Sequence, residues 1–307
     1  MTMKKVLVVG DAERVKEFKM LNLQHAEVTY HEYASFDSME LDWNSESTFG
    51  EGAEDEDEDE DDNELVFGEA VDDEEDDLIF VEEDDDEGGE EESEGGDEYV
   101  FGGRWEDDDD EDEDRPDTDG YDIVFDLNFD DDESSFVNYL YNEGQVVIAC
   151  AVKKSLAEMV SGFSEMDCKI FGINALPTFI NRPKLEMSML QRADHMVLEA
   201  TMKTLGLEYE LVQDQVGMVT PRVVSMIINE AAFVLGEGTA TVEAVDQAMK
   251  LGTNYPQGPF EWCDKIGVWN VVEVIEALHK TYGDGKYKLA PALRRQRDLD
   301  LHFYPQA

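Results

Sequence analysis

Apolar residues recur at helical spacing along the last third of the chain. Val223, Val224, Met226, Ile227, Ala231 and Val234 fall at three- and four-residue steps, which predicts one buried helix face. Gly236 and Gly238 stop that helix, and Pro221 suits its first turn with Thr220 as cap. Thr241 followed by Ala244 predicts the start of a second helix carrying Val245, Ala248, Met249 and Leu251 and closing at Gly252. From Asn254 to Pro259, two prolines and a glycine predict a turn. A third helix from Val268 to Tyr282 turns Val271, Val272, Val274, Ile275 and Leu278 inward. Residues 217–307 therefore read as an all-α domain.

The pattern before it alternates. Lys5–Gly10 reads as a strand, Asp11–Leu23 as a helix and Ala26–Tyr33 as a second strand. Strand, glycine turn, helix, strand opens a dinucleotide-binding unit. Order resumes at Tyr121 with a strand to Phe129 and a short helix from Ser135 to Tyr141. A strand over Gln145–Val152, a helix over Ser155–Gly162, and strands over Lys169–Asn174 and Lys184–Leu190 come next. A helix over Ala193–Leu205 and a strand over Leu207–Gln213 complete the series. Alternating strands and helices predict a mostly parallel sheet covered on both faces. The fold class is thus an α/β Rossmann-like domain plus an all-α C-terminal domain. Residues 1–50 and 120–216 form the first, and a low-complexity insert at 51–119 interrupts it.

Charge changes this picture most. The formal charge is −54, and residues 51–120 alone hold 41 Asp and Glu against Arg104 and Arg115. Self-repulsion and low apolar content predict disorder across most of the insert. Short apolar triplets punctuate it: Leu65-Val66-Phe67, Leu78-Ile79-Phe80 and Tyr99-Val100-Phe101, with Trp105 after them. They read as transient contacts, with short adhesive motifs or edge strands as the alternative. So acidic a chain disfavours nucleic acid and anionic membranes as partners and favours a basic protein partner through the insert. Cys150, Cys168 and Cys263 show neither metal spacing nor a paired framework, which predicts reduced thiols in a cytoplasmic protein and no metal site. The opening MTMKKVLVVG is too short in its apolar run for a signal peptide.

Asn229-Glu230-Ala231, Gly238, Val245-Asp246, Ala248-Met249-Lys250-Leu251-Gly252, Pro256, Gly258-Pro259-Phe260, Asp264 and Ile266-Gly267 resemble, in order and spacing, the C-terminal domain of 3-hydroxyacyl-CoA dehydrogenases. The resemblance implies a helical bundle that dimerises and closes over acyl-CoA, an NAD cofactor, and a role in fatty acid metabolism. It also implies a general-base histidine in a Gly-x-His-Phe-Phe-Asn-Pro stretch and an orienting glutamate twelve residues later. The matching stretch is Gly172-Ile173-Asn174-Ala175-Leu176-Pro177, so Asn174 stands at the base position and Glu186 at the glutamate position. An amide cannot take a proton near neutral pH. The family's substrate-binding serine falls near Lys153-Lys154-Ser155. Its asparagine before an arginine falls at Pro221, in front of Arg222.

On the cofactor side, Gly10 and Glu32 are the positions expected to meet a dinucleotide. Of three turn glycines only Gly10 is present, and Asp11 and Glu13 put carboxylates where a phosphate should sit. The acidic insert also occupies the place of a family helical pair that contacts the CoA phosphates. His25, His31, His195, His279 and His302 read as surface or packing residues. Three readings remain open. One is a divergent family member without NAD-dependent turnover, acting as a dimeric binding or regulatory scaffold. The second is an active 3-hydroxyacyl-CoA (3-hydroxybutyryl-CoA) dehydrogenase with a rearranged site. The third is an acidic interaction protein for basic partners.

Overall fold

A computed structural model describes residues 2–33, 116–131, 137–163, 165–283 and 285–305. All of them lie in one compact unit formed by residues 1–40 and 110–307. The triplets, Trp105 and the insert up to residue 115 lie outside the described residues.

Seven strands form one sheet: β1 Lys4–Gly10, β2 Ala26–Glu32, β3 Ile123–Asp126, β4 Val146–Cys150, β5 Lys169–Ile173, β6 Leu185–Met189 and β7 Tyr209–Leu211. Their order is β2-β1-β3-β4-β5-β6-β7, parallel except where β6 runs against β5. Val6 and Val8 enter one core cluster while Leu7 and Val9 enter another. Strands β1, β3 and β4 are therefore covered on both faces, which explains their unbroken apolar runs. The chain order reverses about β1, and its neighbour β3 lies across that switch point, where open α/β sheets take their ligands.

Helix α1 (Ala12–Phe18) ends five residues earlier than its sequence pattern predicts; Phe18 is its last fully buried residue, and Leu21 and Leu23 pack on the core from the non-helical chain that follows. Helices α2 (Leu156–Met159) and α3 (His195–Leu205) follow β4 and β6. The region predicted as helix over 135–141 shows only a short turn among its described residues.

Five helices form the C-terminal part: α4 Thr220–Gly236, α5 Val242–Thr253, α6 Pro259–Ile266, α7 Val268–Tyr282 and α8 Pro291–Asp298. Helix α7 matches its predicted span, and its five apolar residues are fully buried. Each such side chain contributes roughly 1.5–3 kcal/mol. Several expectations need correction. Helix α5 closes not at Gly252 but at Asn254, which takes the left-handed conformation at φ 58°. Val223 and Leu251, expected inside, are 53% and 78% exposed. Buried Ser225 and Asn229 join Val224, Ile228, Ala231 and Ala232 on the inner face of α4 instead. Helices α6 and α8 were not anticipated.

Three buried or nearly buried polar side chains hold these helices together by bonding backbone. Asn229 donates from Nδ2 to the Lys288 carbonyl at 2.9 Å and accepts from the Ala290 amide at 2.9 Å. Asp246, at the middle of α5, accepts from the Phe260 and Glu261 amides at 2.8 and 3.0 Å and caps α6. Asp264 accepts from the Phe303 and Tyr304 amides at 2.9 and 2.8 Å. Gly258 is required by this latch: a Cβ there would stand 2.1 Å from Asp246 Cγ.

Candidate functional site

The carboxyl ends of β1 and β3 are where a dinucleotide would lie, and the chain fills that place itself. Asp11 caps α1, its Oδ1 accepting from the Glu13 and Arg14 amides at 3.0 and 2.9 Å. The Asp11 amide in turn donates to Asn128 Oδ1 at 2.9 Å. Asn128 Nδ2 donates to Asp11 Oδ2 and Asp131 Oδ2 at 3.0 and 3.1 Å. The amides of Asp11, Glu13 and Arg14, which an incoming phosphate would seek, are thus already bonded. Gly10 still serves close approach, but to Asn128: a Cβ on Gly10 would lie 3.0 Å from Asn128 Oδ1.

Arg14 is the centre of this arrangement. It is 2% exposed. Its guanidinium bonds the Leu127 carbonyl and Asn270 Oδ1, and pairs with Asp131 Oδ2 at 3.0 Å. Nε lies 3.1 Å from Asp11 Oδ2 without hydrogen-bond alignment, so that contact is ionic only. Burial works against the Arg14 charge, but Cys150 and the carboxylates of Asp131, Asp130 and Asp11 around it outweigh this and hold the pKa above its ordinary value. Burial also raises the Asp131 pKa, yet Arg14 and Lys153 overcome this and hold it below the usual carboxylate range. Lys153, 9% exposed, bridges Asp131 and Glu273 of α7. Beside it Asp130 Oδ2 accepts from the Val152 and Lys153 amides, both at 2.8 Å.

Glu32 ends β2 in register with Gly10, and its carboxylate pairs with Lys19 at 2.5 Å on the surface. Both predicted cofactor positions are therefore adjacent. Glu32 is engaged by Lys19, the residue just after α1, and the turn at Gly10 is covered by Asn128.

The structure brings Asn174 and Glu186 together. Their strands run antiparallel, and the Asn174 amide donates to the Glu186 carbonyl at 3.0 Å. Opposite residues of such a pair project to one face. Their side chains nevertheless serve different ends. Asn174, 2% exposed, accepts from the Leu176 amide at 3.4 Å in a local turn. Glu186 accepts from the Val219 and Thr220 amides at the start of α4. It replaces the cap expected from Thr220, whose hydroxyl makes no capping bond. Ser155 caps α2 through the Glu158 amide at 3.1 Å. Pro221 is buried in the first turn of α4, while Arg222 stacks on Tyr282 with its guanidinium carbon 4.6 Å from the ring centroid.

A cleft of about 1380 Å³ opens next to the network. Asp130, Asp131, Lys153 and Lys154 line it from the sheet side, and Trp269, Glu273 and Lys280 line it from α7. Arg14, Asn128 and Asp131 were not singled out in the sequence, and Lys153 was named only as a neighbour of Ser155. Their only readable signal was a basic residue three positions after the Asp11 cap.

The profile of the 3-hydroxyacyl-CoA dehydrogenase C-terminal domain matches residues 217–301. Over that segment the chain is similar to the C-terminal domain of 3-hydroxyacyl-CoA dehydrogenases. A probable 3-hydroxybutyryl-CoA dehydrogenase of Bacillus subtilis (strain 168) is 44% identical over 84 residues, which is 27% of this chain and 29% of that protein. A 3-hydroxybutyryl-CoA dehydrogenase of Clostridioides difficile is 27% identical over 175 residues, 56% of this chain and 62% of that protein. The chain thus spans less than a third of the Bacillus relative. The crystal structure of M. tuberculosis FadB2 shares the fold, with a TM-score of 0.50 and 17% identity over 61% of this chain and 71% of that one. Asn229, Asp246, Gly258 and Asp264 all lie inside the segment matched to the dehydrogenase C-terminal domain. Arg14, Asn174 and Glu186 lie outside it.

Proposed function

We propose that this chain is a 3-hydroxyacyl-CoA dehydrogenase homologue that binds ligand or partner without NAD-dependent turnover. The observation that carries the reading is the Arg14 network at the β1–α1 turn. A pyrophosphate would have to displace Asn128 from the Asp11 amide and face the Asp11 carboxylate. The residues present do not suit NAD there. Asn174 agrees with this, since it offers no base for a hydroxyl proton. The C-terminal helices would keep a dimeric scaffold, with exposed Val223 and Leu251 available to a second copy. The acidic insert would recruit a basic protein partner.

The names of its relatives favour a second reading, an active 3-hydroxyacyl-CoA dehydrogenase acting on acyl-CoA. Titration with NADH, read by cofactor fluorescence, separates the two. No change up to millimolar cofactor, and no NADH oxidation with acetoacetyl-CoA, is expected. Saturable binding with turnover would refute the first reading.

A further inference from the structure

Residues 299–305 follow α8 without forming helix or strand. Near their start Asp300 takes the left-handed conformation at φ 48°. Phe303 and Tyr304 are half-buried, and the other five residues are exposed. From His302 onward no backbone–backbone bond holds the segment among the described residues. Side chains of α5 and α6 hold it instead. Asp264, whose side chain is 8% exposed, gives both carboxylate oxygens to it, accepting from the consecutive Phe303 and Tyr304 amides at 2.9 and 2.8 Å. The Tyr304 hydroxyl donates to Asp246 Oδ2 at 3.0 Å. The Phe303 ring packs on the fully buried Phe260, their centroids 4.4 Å apart. Leu301 and Phe303 border a cavity of about 490 Å³ with Leu235 and Pro291, and Tyr304 borders another of about 300 Å³ with Glu261 and Lys265. Main-chain bonds combined with a ring contact and a hydroxyl contact are the means by which a groove reads an extended peptide.

We propose that residues 299–305 are the internal occupant of a peptide-docking groove on α5 and α6, and that the groove takes in trans an extended peptide of the same chemistry, with consecutive Phe and Tyr. When the segment lifts, Asp264 loses both donors and the Phe260 ring meets water. A second segment with two amides and a ring restores both contacts. A tethered segment competes at an effective concentration of about a millimolar, so the native chain keeps the groove closed and binds its partner weakly. The groove shares no residue with the turn at Gly10, so the proposal goes beyond the reading above and stands under either account of NAD.

The test uses the full chain and a synthetic peptide with the sequence of residues 299–305, blocked at both ends and carrying a fluorophore. Binding is read by anisotropy at about 0.15 M salt, which screens the acidic surface. Phe303→Ala in the chain removes the ring that fills the groove and leaves Asp246 and Asp264 in place. The peptide should bind this variant about tenfold or more tightly than the native chain. The same peptide with alanine for its phenylalanine should bind the variant about tenfold or more weakly. Equal binding to the two chains, equal binding of the two peptides, or no binding to the variant up to about 1 mM peptide would each overturn the proposal. If sedimentation shows the peptide splitting an oligomer of the native chain, a second copy fills the groove and the proposal also falls. If circular dichroism shows that Phe303→Ala does not fold, Tyr304→Phe, which deletes only the hydroxyl, decides instead. It should bind the peptide about threefold or more tightly than the native chain, and unchanged affinity overturns the proposal.

Discussion

Arg14→Met gives the sharpest test of the buried network. Methionine keeps an unbranched chain of similar length and deletes the charge. The structure gives the consequence: Asp131 loses its 3.0 Å partner, Asp11 its 3.1 Å partner, and the Leu127 carbonyl and Asn270 a donor each. Lys153 still reaches Asp131, so one carboxylate keeps partial compensation. Breaking a buried pair from one side costs about 3–5 kcal/mol, a large share of a total near 5–15 kcal/mol. With a urea slope of about 2–3 kcal/mol per molar, the unfolding midpoint should fall by about 1–2 M. The pH dependence adds a second check. Asp131 has a folded pKa below its unfolded value, so its stabilisation is present above the unfolded value and fades as pH falls through the folded one. The deficit of Arg14→Met should therefore be full at neutral pH and shrink below about pH 4, where the carboxylates of both proteins protonate. Urea unfolding followed by circular dichroism at several pH values measures this. A deficit under about 1 kcal/mol at neutral pH, or one that stays constant into acid, would refute an electrostatic role and leave only packing.

Glu186→Ala should cost about 1–2 kcal/mol in the same assay, because α4 loses its cap; a neutral effect would show that the cap is dispensable. Gly258→Ala should fail to fold or lose several kcal/mol, since its Cβ would meet Asp246 Cγ at 2.1 Å. The double variant with Asp246→Ala should be less damaged than the sum of the two, whereas strict additivity would deny the contact. Burial pushes the Cys168 thiol up to about 11 and raises Cys150 and Cys263 as well. The native chain should then react slowly with a thiol-specific disulfide reagent at neutral pH and release all three thiols in denaturant. Fast reaction of the native protein would contradict the burial.

Much of the fold was legible because period and punctuation coincide. The strands β1, β3 and β4 follow apolar runs, and α7 follows five residues at helical spacing between two glycines. The misses have definite causes. Helix α6 begins with Pro259 at its first position, where proline starts a helix as readily as it ends a turn. Helix α8 buries one residue, Leu293, among arginines, so no apolar period marks it. The cap of α4 comes from Glu186, more than thirty residues earlier, which no local pattern reveals. At the site, the resemblance put Asn174 at the base position and Glu186 at the glutamate position, and the structure sets the two opposite each other at the ends of β5 and β6. The Arg14 network could not be foreseen, because its partners Asn128, Asp131 and Asn270 come from far along the chain. An arginine in a first helical turn ordinarily reads as solvated.

The bonds made by Asn229, Asp246 and Asp264 have an implication for ancestry. Each of these side chains satisfies main-chain groups that would otherwise be stranded in the interior, and Gly258 leaves room for one of them. None of the four handles a reacting atom in these contacts. A descendant that abandons its chemistry would still have to keep them or unfold, while the turn after β1 and the end of β5 are free to drift. The stretch that carries the likeness is thus a record of what folding demands, whatever chemistry the rest of the chain performs.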